Sequence, residues 1–217
     1  MKLPITRYGL REIALFGGAF AVVALVTAFL FPPLSIAFLL LAAAVLCFFR
    51  DPRRDAPPDP GSLVAPADGR VVDIADVTDP GMRCPCRKIA IFLSLLDVHL
   101  NRCPVDGQVS SVQYRAGRFL NALRPAASRE NESNLVVLSL KDRPDLRVGV
   151  RQIAGAIARR IICEAKVGDT LCRGQTFGMI KFGSRTELLI PLATPCEILV
   201  KPGQKVKAGR SLVAKFR

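Results

Sequence analysis

The stretch Lys166-Val-Gly168-Asp-Thr-Leu-Cys-Arg-Gly174-Gln-Thr-Phe177 returns further along the chain as Lys201-Pro-Gly203-Gln-Lys-Val-Lys-Ala-Gly209-Arg-Ser-Leu212. Gly168 answers to Gly203 and Gly174 to Gly209, a spacing of 35 residues in each case, and the two apolar positions recur with them. Glycines at fixed places permit tight turns, and alternating apolar residues point to one face of a strand. Two such units can pack face to face as halves of a barrel. Outward from this repeat, short β-branched and apolar runs bounded by Gly, Pro and Asp occupy residues 69–74, 88–93, 107–114, 135–140, 146–153, 160–165, 186–191 and 196–200. Each reads as a strand. The best remaining helical pattern covers residues 119–127. The fold class predicted is therefore mainly β, or α+β, as a barrel or sandwich containing two half-repeats.

The first fifty residues differ in kind. Residues 13–31 carry no charge, Pro32-Pro33 follows, and residues 34–49 form a second apolar run without a polar face. A spanning helix needs about 20 apolar residues, so the first run suffices and the second is marginal. Together they predict a membrane-anchoring helical hairpin over residues 1–50 that spans twice or dips in and returns. Lys2, Arg7 and Arg11 flank one outer end and Arg50, Arg53 and Arg54 the other, which by the positive-inside rule puts both ends in the cytoplasm. The expected location is the cell (inner) membrane, with the main domain on the cytoplasmic side. Residues 51–60 contain four prolines and read as a linker, leaving residues 61–217 as the β domain.

A formal charge of +13 calls for an anionic partner. With no Trp and 6% aromatic residues, the chain lacks platforms for stacking bases, so an acidic membrane surface is expected rather than nucleic acid. The seven cysteines fall into no even framework and are expected as free thiols. Cys84 and Cys86 have no second pair at ligand spacing, and no metal is expected.

The repeat is similar to the half-motif of biotinyl and lipoyl carrier domains, in which a modifiable lysine sits in a hairpin between halves. Here that place holds Lys181-Phe182-Gly183-Ser184-Arg185-Thr186, without the flanking residues of a carrier lysine. Chemistry is expected instead at Gly183-Ser184. A glycine without a Cβ leaves its carbonyl open and can hold strained backbone, so Ser184 Oγ could attack the carbonyl carbon of Gly183. β-Elimination from the resulting ester would release Gly183 as a new C-terminus and leave dehydroalanine, which hydrolyses to a pyruvoyl cap.

Three ordered motifs give that dipeptide company. Ala65-Pro66-Ala67-Asp68-Gly69 resembles the Ala-Asp-Gly motif of the phosphatidylserine decarboxylase family. The segment from Leu93 through Asp97-Val98-His99 to Gly107 resembles its Asp-x-His segment, and Phe182-Gly183-Ser184-Arg185 its processing site. The processing site is similar to that of the shorter bacterial and archaeal branch. The resemblance implies a proenzyme that cuts itself into a large subunit, 1–183, and a small one, 184–217. It implies a covalent pyruvoyl cofactor derived from Ser184, a Schiff base with the substrate amine, and conversion of phosphatidylserine to phosphatidylethanolamine and carbon dioxide. A homo-oligomer is compatible with this reading. In the longer branch a second histidine, three residues after the first, is the base for self-cleavage, and this chain has Arg102 there. That role falls to His99, the chain's one histidine, oriented by Asp68, or to Asp68 itself. Arg115, Arg118, Arg124, Arg129, Arg159 and Arg160 are candidates for headgroup contact. Two other readings stay open: a decarboxylase of a related lipid such as archaetidylserine, and a membrane-anchored carrier or binding module without chemistry.

Overall fold

The computed structural model describes residues 4–59, 61–156, 160–181 and 183–217. Lys2, Pro60, Arg159 and Phe182, each used in the sequence reading, lie outside the described residues. The chain divides between Arg53 and Arg54 into two compact units.

In the first unit, Arg7–Leu30 is a 24-residue helical run, long and apolar enough to cross a membrane by length and composition. Thr6 starts it by accepting the Tyr8 N–H on its hydroxyl. Phe31 breaks it at φ −153°, and Pro32 and Pro33 open the next helix, Pro32–Phe48. That helix has 17 residues, at the short limit for a span. The rings of Phe20 and Phe38 lie 6.2 Å apart, so the two helices pack against each other as a hairpin.

The second unit is built from strands β1 (Ser62–Val64), β2 (Gly69–Asp79), β3 (Cys84–Leu93), β4 (Leu100–Arg102), β5 (Gly107–Arg115), β6 (Ser133–Leu140) and β7 (Arg147–Ile153). These are followed by β8 (Ile161–Cys163), β9 (Thr170–Leu171), β10 (Thr176–Ile180), β11 (Ser184–Pro191), β12 (Cys196–Ile198), β13 (Lys205–Val206) and β14 (Leu212–Phe216). Eight of them form a sheet in the order β13-β2-β3-β11-β7-β6-β5-β9, curled into a half-barrel. Two three-stranded sheets, β1-β14-β12 and β4-β10-β8, accompany it. The core includes Leu63, Val71, Ile91, Leu138, Val150, Phe177, Leu188 and Val213, all buried. The mainly β expectation holds.

The internal repeat is a structural repeat. A shift of 35 residues carries β8 onto β12 and β9 onto β13. Gly168, Gly174, Gly203 and Gly209 all adopt positive φ, between 71° and 94°, which is why the turn positions take glycine. The two copies meet where Gly174 and Gly209 abut. A Cβ on Gly209 would lie 3.3 Å from Gly174 Cα and 3.1 Å from Arg102 Cδ.

A second self-similarity precedes the first. Ala65-Pro66-Ala67-Asp68-Gly69 and Cys103-Pro104-Val105-Asp106-Gly107 each lead into a long hairpin strand, β2 and β5. Asp68 accepts the Ala208 N–H at 2.8 Å, and Asp106 accepts the Arg173 N–H at 2.8 Å. Ala208 and Arg173 are themselves equivalent positions of the 35-residue repeat. Each copy of the 35-residue repeat is thus tied to an aspartate through a backbone amide.

Two sequence expectations need correction. Residues 119–127 are not a helix. The Asn121 side chain turns back on the Leu123 N–H, and Asn131 bonds both backbone groups of Leu120, so the helix is confined to Ala127–Glu130. Arg54, grouped above with the positive charges flanking the apolar segment, instead forks onto Asp68 with its side chain only 6% exposed. Residues beyond it in the proline-rich stretch are also tied to the domain, through Arg173 to the carbonyls of Pro57 and Asp59.

The repeat glycines give a graded test. Gly203→Ala meets open space and should cost only the positive-φ strain, about 1–2 kcal/mol. Gly209→Ala adds the collision with Arg102 and Gly174 and should cost at least about 1 kcal/mol more, read as the difference in denaturant midpoints.

Candidate active site

The Gly183-Ser184 step is a crossing between sheets. Antiparallel pairing sets Leu100 of β4 opposite Met179 of β10, and the Ile180 N–H donates to the His99 carbonyl at 3.2 Å. Four residues after Ile180, Ser184 has joined the large sheet, opposite Leu93 of β3. Gly183 makes the change of direction at φ +60°, with nothing within 4 Å of where a Cβ would be. What it supplies there is backbone conformation, not space.

His99 is fully buried beside this step. Its Nδ1 lies 2.9 Å from the Asp97 carbonyl, and its Nε2 accepts the Gly183 N–H at 3.2 Å. Those partners define a neutral ring protonated on Nδ1, with the Nε2 lone pair turned toward the 183–184 backbone. Ser184 is also fully buried, and its Oγ has no hydrogen-bond partner among the described residues. An orphaned buried hydroxyl costs about 1–3 kcal/mol, so the fold holds it there against its solvation preference. The Gly183 carbonyl in turn is pressed onto Gly155, where a Cβ would come within 1.9 Å of the oxygen. A serine hydroxyl with no other engagement, a carbonyl fixed next to it and a neutral imidazole on the same backbone suit attack of the chain on itself.

A string of buried amides fixes this corner. Asn134 Nδ2 donates to Gln152 Oε1 at 3.1 Å, and Gln152 Nε2 donates to Asn101 Oδ1 at 2.9 Å and to the Ile162 carbonyl at 3.1 Å. Asn101 Nδ2 then donates to Thr186 Oγ1 at 2.9 Å. Asn101, in β4, follows His99 by two residues, and Thr186 shares a face with Ser184 in β11 by the two-residue period of a strand. The string therefore ties the strand following the imidazole to the strand carrying the serine. Sequence reading passed over these residues, together with Gly155. The available signal was Gln152 itself, a polar side chain in step with Val148 and Val150 on the inward face of β7.

Among the described residues, Asp68 is engaged by other partners. Its two oxygens are taken up by the Arg54 fork and the Ala208 N–H, and the imidazole is oriented by a backbone carbonyl instead. Asp106 makes the same backbone bond in the other copy, so for Asp68 that bond is a duty of the fold. Arg102, standing where a base was sought, packs on Gly209 and donates to the Gly174 carbonyl at 3.0 Å, joining the two repeats. Of the arginines considered for headgroup contact, Arg115 braces the carbonyls of Ser128 and Asn131, and Arg118 pairs with Glu130 at 3.2 Å. Arg124, Arg129 and Arg160 are exposed.

The opposite face of β11 carries charge. Glu187, buried, accepts from Ser128 Oγ at 2.6 Å and lies 3.0 Å from Arg185 Nε. Arg151 reaches Glu187 at 3.9 Å and forks onto Asp79. Burial raises the Asp79 carboxyl, but Arg151 and the N–H groups of Met82 and Gly81 outweigh it and hold the group below its ordinary range. A cavity of about 1150 Å³ opens over this face, bordered by Asp79, Arg151 and Glu187. Neither Ser184 nor His99 borders it, so it is separate from the site described above.

A buried serine next to a left-handed glycine, with an imidazole on that glycine's N–H, is a site built into the backbone at the start of a strand. Comparison with known proteins specifies more. The family model described as phosphatidylserine decarboxylase matches residues 41–214. The chain is 45% identical over 216 residues to the phosphatidylserine decarboxylase proenzyme of Rhodopirellula baltica, covering 100% of this chain and 90% of that one. It is 43% identical over 218 residues to that of Carboxydothermus hydrogenoformans, covering both chains in full, and 46% identical over 180 residues to that of Ralstonia nicotianae, covering 82% and 81%. The chain belongs to the phosphatidylserine decarboxylase family, a family of carboxy-lyases.

Two outcomes check the geometry. Gly155→Ala should yield a folded chain in which the Gly183 carbonyl is displaced, with conversion to two fragments slowed at least about tenfold on a denaturing gel. Since the Asp79 carboxyl is lowered in the folded state, its stabilising effect is complete above the unfolded range near pH 3.9 and is lost as pH falls through the lower folded value. Asp79→Asn should accordingly flatten the acid limb of the stability–pH curve while lowering stability at pH 7.

Proposed function

We propose that this chain is a phosphatidylserine decarboxylase proenzyme that cuts itself between Gly183 and Ser184. The observation that carries the proposal is the buried Ser184 Oγ, without a hydrogen-bond partner among the described residues, next to a carbonyl clamped on Gly155 and one peptide from His99 Nε2. His99 takes the Oγ proton as Oγ bonds to the Gly183 carbonyl carbon. The C–N bond then breaks, and the freed Ser184 nitrogen takes up a proton, leaving an ester. Removal of the Ser184 α-proton expels the Gly183 carboxylate from Cβ and leaves dehydroalanine. One water converts its tautomer to the pyruvoyl group and ammonia.

The residues present fit that group. Its carbon atoms are those of Ser184, already lodged in β11 between β3 and β7, and its ketone oxygen comes from the water of the last step. A pyruvoyl group supplies a ketone that condenses with an amine and accepts the electron pair released when carbon dioxide departs. His99 is the group placed to return a proton to the substrate carbon, its ring held by the Asp97 carbonyl. Asp68 and Arg54 act at a distance in this proposal. They steady the 65–69 segment, whose Pro66 carbonyl holds the Arg102 N–H at the end of β4. In the uncut chain both Ser184 and His99 are sealed from solvent, and scission frees the end at Gly183 to open a path for substrate. The apolar N-terminal helix suits a lipid substrate, and Arg7, Arg11, Arg50 and Arg53 favour a cytoplasmic catalytic domain.

Intact mass is the decisive measurement. The expected products are fragments of residues 1–183 and 184–217, the second refractory to N-terminal sequencing and to turnover after hydroxylamine. Ser184→Ala should remain one chain. His99→Ala and His99→Gln should cut at least about a hundredfold more slowly. Cleavage of both at the parental rate, or a free serine amine on the second fragment, would overturn the proposal.

A further inference from the structure

The turn that orients His99 exposes the wrong kind of residue. Ser94 to Asp97 is a β-turn, closed by the Asp97 N–H on the Ser94 carbonyl at 3.0 Å. The Asp97 carboxylate locks it further, accepting the Ser94 N–H at 2.8 Å and the Ser94 hydroxyl at 2.6 Å. Turn corners usually take Gly, Pro, Asn, Asp or Ser. Here both corners are leucine, with Leu95 50% and Leu96 85% exposed. The last residue of the same turn offers its carbonyl to His99 Nδ1.

A second apolar tip belongs to the same neighbourhood. Ala122 packs at 3.5 Å from the Cβ position of Gly155, the residue that clamps the Gly183 carbonyl. On either side of the buried Ala122, Phe119 is 39% and Leu123 52% exposed. Asn131 fixes this loop by bonding Leu120 on one side and the Ala154 carbonyl at 2.7 Å on the other. Residues 115–130 hold Arg115, Arg118, Arg124 and Arg129 against one acidic residue, Glu130. The pattern is of two rigid apolar tips, one next to His99 and one next to Gly155, with a cationic collar. Exposed apolar groups rimmed by Arg match the boundary between acyl chains and acidic headgroups.

We infer that the Leu95-Leu96 turn and the Phe119–Leu123 loop dock the catalytic domain onto an anionic bilayer, seating the active-site mouth among the lipids it draws from. This rests on the proposed action on phosphatidylserine, and it adds a contact of the catalytic domain itself to the N-terminal helices. Arg124 and Arg129 supply the attraction to the acidic surface, and the leucines supply the depth. Because the turn is locked by Asp97, its insertion holds His99 at a fixed distance from the interface.

The chain contains no Trp, so single reporters are clean. Full-length Leu96→Trp, Leu123→Trp and, as control, Leu192→Trp are reconstituted into phosphatidylcholine–phosphatidylserine vesicles carrying brominated acyl chains. Leu192 is also exposed but follows Pro191, at the end of β11 away from Ser184. Leu96→Trp and Leu123→Trp should be blue-shifted and quenched several-fold more than Leu192→Trp. Equal quenching of the three, or none at Leu96→Trp, overturns the inference. Leu96→Glu should cut turnover of bilayer phosphatidylserine about tenfold while leaving self-cleavage and turnover of a soluble short-chain phosphatidylserine unchanged. If Leu96→Glu instead splits a dimer and no reporter is quenched, the face belongs to a second copy and the inference fails. Selective quenching in a chain that turns over neither substrate supports docking while removing the proposed activity.

Discussion

The pairing of β4 with β10 is the constraint on which the site depends. It sets His99 beside Ile180, so that when the chain leaves the small sheet for the large one its first stop is the imidazole. A crossing between sheets is one place where a strand-rich domain presents a backbone carbonyl outside a ladder. Here that carbonyl belongs to Gly183 and rests on Gly155. The left-handed turn at Gly183, the unpartnered Oγ of Ser184 and the tautomer of His99 all follow from where that crossing falls. The buried amides from Asn134 to Thr186 keep it from drifting, because pulling any one of them out leaves its neighbours unsatisfied in a dry interior.

The repeat bears on how Asp68 is held. Both copies have an aspartate closing on a backbone amide, Asp68 on Ala208 and Asp106 on Arg173. To Asp68 is added a charged partner, the buried Arg54 reaching in from the proline-rich stretch. The ion pair makes Asp68 a junction between that stretch and the repeat.

Much of this was legible in the chain. Four glycines at a fixed interval announced turns that do adopt positive φ, and the long strands β2, β3, β5, β6, β7 and β11 carry alternating or β-branched residues that no helix would prefer. The short strands were not legible, since two or three residues, as in β1, β4, β9 and β13, contain no period to read. The site split along similar lines. Gly183, Ser184 and His99 stood out by motif, whereas Gly155 matters through an approach distance that only the fold creates. The partners of Asp68 were not legible, because a carboxylate within a motif says nothing of which cation will reach it across the chain. The loop over residues 119–127 looked helical by composition, and the side chains of Asn121 and Asn131 claimed the backbone groups that a helix needs.

The full burial of Ser184 bears on timing along the proposed route. An ester between Gly183 and Ser184 has two fates: elimination, which leads on to a ketone, or hydrolysis, which leaves a nicked chain with an ordinary serine and no electrophile. Bulk water would favour the second. A compartment closed to solvent starves hydrolysis while leaving the internal elimination untouched, and it need admit only the one water that the last step consumes. On the proposed route, such a closed site would work as a kinetic filter, deciding how many molecules become enzymes and how many become dead ends before any substrate has arrived.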